Sequence, residues 1–418
     1  MIKYKLEDIS LVVGGGTPPT TNERNYDGDI VWITPKDLSD QNEKFIERGQ
    51  RSITLEGFNA CSAQMIPPYN ILMSSRAPIG LLAINRYECC TNQGFKSLIL
   101  NKDICDVDYV YYYLKHHIRE IESLGSGTTF KEVSKKALQS FEFSLPELEV
   151  QLKISKLLSD IDAKITLNRS INHNLEAMAK QLYDYWFVQF DFPDENGMPY
   201  KSSGGKMVWN EKLKREVPEG WNVAKVKDIA STYSGGTPTS RNRDYYEGGD
   251  IPWINSGELN SPIITSTSNY ITEIGLNNSS ARLYPQNTVL VALYGATAGK
   301  VSLLSFEACS NQAVCGVMPN KSIQITYIRY YLSSLYAHFI ALSSGSARDN
   351  ISQDTIKNTP LPIPQYDVLR NYSDIVNPIV NKIIANQHEL ELLTKLRDSL
   401  LPLLMNGQVS INYDLSND

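Results

Sequence analysis

Apolar residues recur at alternating spacings of four and three through Ile154, Leu158, Ile161, Ile165, Asn168, Asn172, Leu175, Ala179, Leu182 and Trp186. This is the seam of a coiled coil, and it predicts one long helix from Leu145-Pro146 to Phe187. The same seam returns as Tyr372, Val376, Ile379, Ile383, Asn386, Leu390, Leu393, Arg397, Leu400 and Leu404. Pro378 falls inside this second run and is expected to break or kink it, because proline lacks the amide donor and clashes with the preceding turn. Continuous helix is therefore expected from Pro378 to Met405, about 40 Å at the helical rise. Pro402 should distort its last turn, and Asn406-Gly407 should stop it. Asn168 and Asn386 hold matching seam positions, where an amide either fixes register or sits at a wet edge.

Outside the helices the pattern changes to short β-rich runs, such as Asn70-Ile71-Leu72-Met73 and Thr288-Val289-Leu290-Val291, among Gly, Pro, Asn and Ser. One amphipathic helix is expected over residues 109–121, with a counterpart over 327–342. These parallels belong to an internal repeat. Gly15-Gly16-Thr17-Pro18 recurs as Gly235-Gly236-Thr237-Pro238, and Asp29-Ile30-Val31-Trp32-Ile33 as Asp250-Ile251-Pro252-Trp253-Ile254. Cys90-Thr91-Asn92-Gln93 matches Cys309-Ser310-Asn311-Gln312, Gly80 matches Gly299, and Leu145-Pro146 matches Ile363-Pro364. Order is kept while the offset drifts slightly, as loop insertions would produce.

The expected architecture is α/β: two pseudo-symmetric globular modules, 1–145 and 218–362, separated by two long antiparallel coiled-coil helices at 146–190 and 363–410. A tail covers 411–418. Two half-apolar helices cannot stay single in water, and pairing within the chain is the default. Residues 191–217 join the copies. Phe190, Phe192, Tyr200 and Trp209 give this stretch aromatic surface with which to hug its neighbours.

Composition excludes several alternatives. With 418 residues, 42% hydrophobic and 21% charged, the chain is neither disordered nor collagen-like. No apolar run is long enough to span a bilayer, and the N-terminus lacks a signal-peptide core, so a cytoplasmic location is expected. Six cysteines show neither a CxxC pair nor a histidine at ligand spacing, which argues for reduced, packed thiols and against a metal site. A net charge of -6 gives no global attraction to phosphate.

Catalytic motifs are absent. Ile66-Pro67-Pro68-Tyr69 resembles the Asn-Pro-Pro-Tyr motif of adenine methyltransferases but lacks its amide, and no glycine-rich cofactor loop accompanies it. Gly14-Gly15-Gly16-Thr17 does not continue into a phosphate-binding GKS or GKT and reads as a tight turn. The five histidines lack a partnered nucleophile or carboxylate at motif spacing.

Taken in order, five blocks resemble the target recognition domain of type I restriction-modification specificity subunits. They are Gly15-Gly16-Thr17-Pro18, Trp32-Ile33 with Asp37-Leu38, Ser75-Arg76-Ala77-Pro78-Ile79-Gly80, Thr91-Asn92-Gln93-Gly94-Phe95 and Gly127-Thr128-Thr129-Phe130. The helix ending at Phe187 and the following Phe190-Asp191-Phe192-Pro193 are similar to that family's central conserved region. The second copy departs at Gly295-Ala296-Thr297-Ala298-Gly299 and Gly345-Ser346-Ala347-Arg348, which suggests a different DNA preference. The resemblance implies a noncatalytic, DNA-reading subunit with one module for each half of a split target. It implies helices that set the gap, two methyltransferase subunits, and up to two restriction and motor subunits. S-adenosylmethionine, ATP and magnesium would then belong to those partners, and this chain would bind no cofactor. A methylation-only complex and a non-DNA double-module scaffold are the alternatives.

Residues identical in both copies cannot distinguish two different half-sites and are assigned to fold or phosphate contact. Base readers should be polar, in loops, and different. Matching the loops gives Thr20 to Arg24, including Thr21, against Ser240 to Arg243, including Arg241, and Pro35-Lys36 against Ser256-Gly257. It also sets Ser74-Ser75-Arg76 against Leu293-Tyr294-Gly295, and Thr128, Thr129 and Lys131 against Ser346 and Arg348. Arg and Lys suit guanine, while Ser and Thr suit several base edges. Asn92-Gln93 and Asn311-Gln312, present in both copies, are expected to satisfy backbone groups internally.

Overall fold

In the computed structural model, residues 1–41, 43–127, 131–343 and 350–409 are described. The contacts divide the chain into two units, one formed by Met1–Leu167 with the chain from Glu391 onward, the other by Asn168–Leu390. Each long helix is thus shared between the units and does not form a body of its own.

The first unit contains strands β1 (Ile2–Lys5), β2 (Ser10–Gly14), β3 (Tyr26–Ile33), β4 (Phe45–Ile46), β5 (Ser52–Ile53), β6 (Ile71–Ser75), β7 (Ile79–Asn85), β8 (Cys90–Thr91), β9 (Lys96–Leu100) and β10 (Glu142–Leu145). They form a five-stranded sheet β2-β9-β6-β7-β4, a three-stranded sheet β5-β3-β8 and an antiparallel pair β1-β10. Every residue of β6 is buried, so the sheet is covered on both faces. Its alternation divides the core: Ile71 and Met73 pack with Tyr109, Tyr112, Ile154 and Leu158, while Leu72 packs with Ile33, Leu38 and Phe95.

In the second unit, β11 (Met207–Asn210) and β12 (Arg215–Pro218) make a hairpin before the repeat begins. The remaining strands are β13 (Asn222–Lys225), β14 (Ala230–Ser234), β15 (Ile251–Ile254), β16 (Ile263–Ile264), β17 (Tyr270–Ile271), β18 (Val289–Ala292), β19 (Val301–Leu304), β20 (Cys309–Ser310), β21 (Val314–Pro319) and β22 (Pro360–Ile363). They repeat the first unit strand for strand, as β14-β21-β18-β19-β16, β17-β15-β20 and β13-β22. Register is repeated too: Trp32 pairs with Cys90 in parallel, and Trp253 pairs with Cys309 in parallel.

The amphipathic stretches are each two helices, Val107–His116 and Ile118–Ser123, then Ile325–Ser334 and Tyr336–Ser343. The interruption falls at His117 and Leu335. It brings Ile118 against Gly80 and Tyr336 against Gly299, two left-handed glycines beside which a β-carbon would crowd the neighbouring side chain. The repeated Gly80 is thereby explained by packing.

The long helices run Leu148–Tyr183, followed by a π-helical turn at Asp184–Val188, and Tyr366–Met405. All twenty seam residues named above are buried or partly buried. The pairing is antiparallel within each unit. In the second unit Asn168 reaches Glu389 and Asn172 reaches the Ile383 carbonyl. In the first, Asp162 meets Arg397 while Ile154 and Leu158 share a core with Leu404 and Met405. Pro378 does not break the second helix, which starts at Tyr366 and passes through it. Pro378 and Asp374 both face solvent, so the carbonyl deprived of its amide partner is open to water. Pro402 is likewise contained in the helix. Gly407 closes it in the left-handed conformation, with Gln408 and Gly407 amides on the Leu403 and Leu404 carbonyls.

Polar contacts tie each module to its helices in different ways. In the first unit, the Tyr112 hydroxyl donates to Asp162 at 2.6 Å and Arg397 donates to the same carboxylate at 2.9 Å. Lys44 joins Asp108 and the Ser159 hydroxyl. In the second, Arg329, 2% exposed, donates to Glu176 at 2.7 Å and to the Tyr330 hydroxyl at 3.1 Å. Of the connecting aromatics, Phe192 stacks on Trp221 and Tyr200, and Phe190 is buried. Trp209 departs from the expected packing: it lies on the hairpin, 58% exposed, with its indole bonded to nearby Glu211.

The seam amides are buried, Asn168 at 2% and Asn386 at 3% exposure, but unequal. Asn168 donates to Glu389 at 2.8 Å, whereas the Asn386 amide nitrogen has no partner among the described residues. The repeat position matching Glu389 is Ile171, which offers no acceptor. Replacing Asn386 by Leu is expected to leave the chemical denaturation midpoint unchanged or raised, and Asn168→Leu to cost about 1–3 kcal/mol. Equal losses at the two sites would contradict this asymmetry.

Candidate nucleic-acid interface

The strand directions gather the candidate loops. Gly14, the end of β2, pairs with Lys96, the start of β9, and β6 also runs antiparallel to β9. The chain therefore leaves β2 and β6, and enters β7 and β9, at one end of the sheet. The loop after β3 joins this end through Asn92, whose amide donates to the Ile33 carbonyl. In the second unit, Ser234 pairs with Cys315 and Asn311 bonds Ile254 in the same manner.

A duplicated set of bonds holds this end together. Trp32 Nε1 donates to the Gly16 carbonyl at 3.0 Å, and Trp253 Nε1 to the Gly236 carbonyl at 3.0 Å. Tyr26 and Tyr246 hydroxyls donate to the Pro18 and Pro238 carbonyls. Thr17 donates to Gln93, and Thr237 to Gln312. Asn92 accepts from the Gly94 amide at 2.9 Å, and Asn311 from the Ala313 amide at 3.0 Å. Asn92 and Asn311 thus satisfy backbone groups as expected, whereas Gln93 and Gln312 are exposed and bond threonine hydroxyls instead. The expected tight turn at Gly14-Gly15-Gly16 is not formed: Gly14 ends β2, and neither Gly15 nor Gly16 lies in a turn or has positive φ. A β-carbon on Gly15 would collide with the Asn92 and Thr91 carbonyls, and one on Gly235 with the Asn311 and Ser310 carbonyls. Close backbone crossing is what requires glycine here.

Around this scaffold Thr20, Thr21, Arg24, Lys36, Lys131, Ser240, Arg241 and Arg243 are exposed, and Arg76, Ser256 and Tyr294 are partly exposed. Arg243 forms an exposed ion pair with Glu247 at 3.7 Å. Ser74 and Ser75 are fully buried. The Ser74 hydroxyl donates to the Pro78 carbonyl and accepts from Leu81, and that of Ser75 donates to the Gly94 carbonyl. These two shape the loop and present no hydroxyl to a ligand. Thr128, Thr129, Ser346 and Arg348 lie outside the described residues.

The loop match also needs correcting by one position. Val133 donates to the Ser75 carbonyl as Ile351 donates to that of Leu293, and the bridge Arg76↔Glu132 is matched by Tyr294↔Asn350. Arg76 therefore corresponds to Tyr294, and Ser75 to Leu293.

Sequence reasoning missed Lys96 and Glu132. Glu132 accepts from Lys96 at 3.1 Å and lies 3.8 Å from Arg76. Chain pairing alone assembles these three, so no local motif could have signalled them. Arg51 over the Tyr26 ring, at 3.9 Å, and Arg282 over Tyr233, at 4.8 Å, are further cations outside the original selection. Five of the six thiols are buried, and burial raises Cys89, Cys90, Cys105, Cys309 and Cys315 to about 12. Among the described residues no group of His, Cys, Asp and Glu could hold a metal, and no helix is long and apolar enough to cross a membrane.

A duplicated α/β module with a constant scaffold and variable loops at one end defines a class, and comparison with known proteins agrees. The family model for the type I restriction modification DNA specificity domain matches residues 1–177 and again 218–395. The chain belongs to this family, as a type I restriction-modification specificity subunit. It is 31% identical over 412 residues to the type I restriction enzyme MjaIX specificity subunit of Methanocaldococcus jannaschii, covering 97% of this chain and 93% of that one. It is 26% identical to the HindI specificity subunit of Haemophilus influenzae, over 67% of this chain and 72% of the relative. In fold it is similar to the crystal structure of a type I S subunit from M. genitalium, with a TM-score of 0.65 at 16% identity, covering 96% of this chain and 95% of that chain.

Gly15→Ala is expected to lower thermal stability by at least about 2 kcal/mol, as overpacking against a rigid backbone does. Gly14→Ala, where a β-carbon meets open space, should change it little. Differential scanning fluorimetry of both variants checks the pair, and equal melting shifts would remove the crossing argument.

Proposed function

We propose that this chain is the sequence-reading subunit of a DNA methylation and restriction complex, with each module recognising one half of a bipartite duplex target. The observation that carries this reading is the contrast between the copies: the hydrogen bonds of the scaffold repeat pair by pair, whereas the exposed polar residues around it differ. Identical side chains contact identical chemistry, so two unlike half-sites must be told apart by the unlike ones. Exposed cations at Arg24, Lys36, Lys131, Arg241 and Arg243 supply donors for phosphates and base edges.

In this reading the chain performs no bond chemistry. Two methyltransferase subunits dock on it and up to two restriction and motor subunits join them, and S-adenosylmethionine, ATP and magnesium act within those partners. The long helices set the number of unread base pairs between the halves, and the half-site centres are spaced by about one duplex turn. An acidic chain fits such an assembly, because partners that clamp the duplex share the phosphate contacts and their salt dependence.

Base-modification mapping in cells that express this chain with its methyltransferase should return one split motif. Exchanging residues 1–145 for the corresponding module of another specificity subunit is expected to rewrite one half and leave the other intact. Simultaneous change of both halves would refute modular reading. Removing matched whole turns from both long helices should shorten the gap while both halves persist.

A further inference from the structure

The two modules differ in charge at a structurally equivalent place beside the loop end. In the first, Arg76 and Glu132 face each other across a backbone bridge, with Lys96 beside them. In the second, the bridge partners are Tyr294 and Asn350, and the register that pairs Gly14 with Lys96 pairs Ser234 with Cys315, a buried thiol held neutral by its raised pKa. The surrounding backbone bonds are the same: Ser75 and Leu293 amides each donate at 2.7 Å to the Gly94 and Ala313 carbonyls. A charged triad in one copy thus stands where the equivalent three positions of the other hold Tyr294, Asn350 and Cys315.

We propose that Arg76, positioned by Glu132, reads a guanine in the first module's half-site, and that the second module makes no such demand at its equivalent step. This rests on the base-reading function proposed above. Arg76 is 37% exposed and lies at the loop end of the sheet. Its guanidinium sits 3.8 Å from Glu132, beyond hydrogen-bonding distance, so the carboxylate restrains it by charge and, among the described residues, leaves its donor fork unspent. Lys96, closer at 3.1 Å and mostly buried, anchors Glu132 from the protein side. The neighbouring carboxylate also decides which part of DNA suits Arg76. It repels a phosphate, whereas the guanine edge is uncharged and offers two acceptors to a guanidinium fork. Lys36 and Lys131, exposed and in no ion pair among the described residues, suit the phosphates better. Glu132 acts through Arg76 and is a positioning residue.

The test uses the whole methyltransferase complex and a duplex series in which each base pair of the mapped target is replaced in turn. The wild-type complex should require guanine at one position of the first half. Arg76→Ala should relax that position alone, with discrimination falling about ten- to a hundred-fold, and leave the second half unchanged. Arg76→Lys keeps the charge but loses the fork, and should relax the same position with an unaltered salt dependence. Should the alanine variant not fold, the lysine variant decides. Glu132→Gln should weaken the guanine preference while tightening binding to all sequences, because the repulsion from phosphate is gone. A uniform loss of affinity in Arg76→Ala, with a shallower salt dependence, would identify a phosphate contact and overturn the proposal. So would an unchanged motif in Arg76→Lys. A wild-type complex that binds every duplex alike would overturn the base-reading function itself, and this inference with it.

Discussion

A helix with an apolar stripe cannot remain alone in water, and this requirement governs the rest of the chain. The stripe occurs twice, so each copy meets it with the other, antiparallel within both units. Burying the seam orders the helices, and the helices in turn complete the module cores, where Ile154 and Leu158 join β6 residues and Trp186 and Phe187 join Tyr327 and Tyr372. The polar fasteners are secondary and differ between units. Arg397 with Asp162 and Arg329 with Glu176 compensate one another's charge where burial would otherwise be costly.

Duplication places opposing demands on the modules. Folding requires the same tight places to be kept: glycine where the backbone crosses Asn92 or Asn311, an indole donor at Trp32 and Trp253, and an amide that closes the Asn92 or Asn311 turn. The proposed reading of two unlike half-sites requires the exposed positions to diverge. At the loop ends the repeated hydrogen-bonded residues lie beside exposed positions that differ. Differing positions also occur in the cores, as Met73 against Val291 and Phe95 against Val314 do, and Ser74 and Ser75 show why sequence difference alone cannot identify a reader. Their hydroxyls support loop geometry that the second copy achieves with other residues.

Much of this was legible in the sequence because it is periodic or repeated. The seam positions, the two modules, the internal role of Asn92 and Asn311, and the Asn406-Gly407 stop all follow local rules. What escaped depends on surroundings. Pro378 is tolerated because its face of the helix meets water, a fact absent from the local pattern. The breaks at His117 and Leu335 answer to packing on distant glycines. Arg76, Lys96 and Glu132 meet through strand pairing, and the match of Arg76 with Tyr294 follows from bridges between distant residues. The exposed Trp209 shows that aromatic content by itself does not establish packing.

In the proposed function, two equivalent loop ends, one in each module, face the duplex. Hydrogen exchange of the chain within its methyltransferase complex, measured with and without a specific duplex, addresses it most directly. The account expects new protection at residues 17–24, 34–37 and 76–78 and, matching them, at 237–243, 255–258 and 294–297. Protection appearing in neither set, with the duplex instead shielding the opposite ends of the sheets, would contradict it.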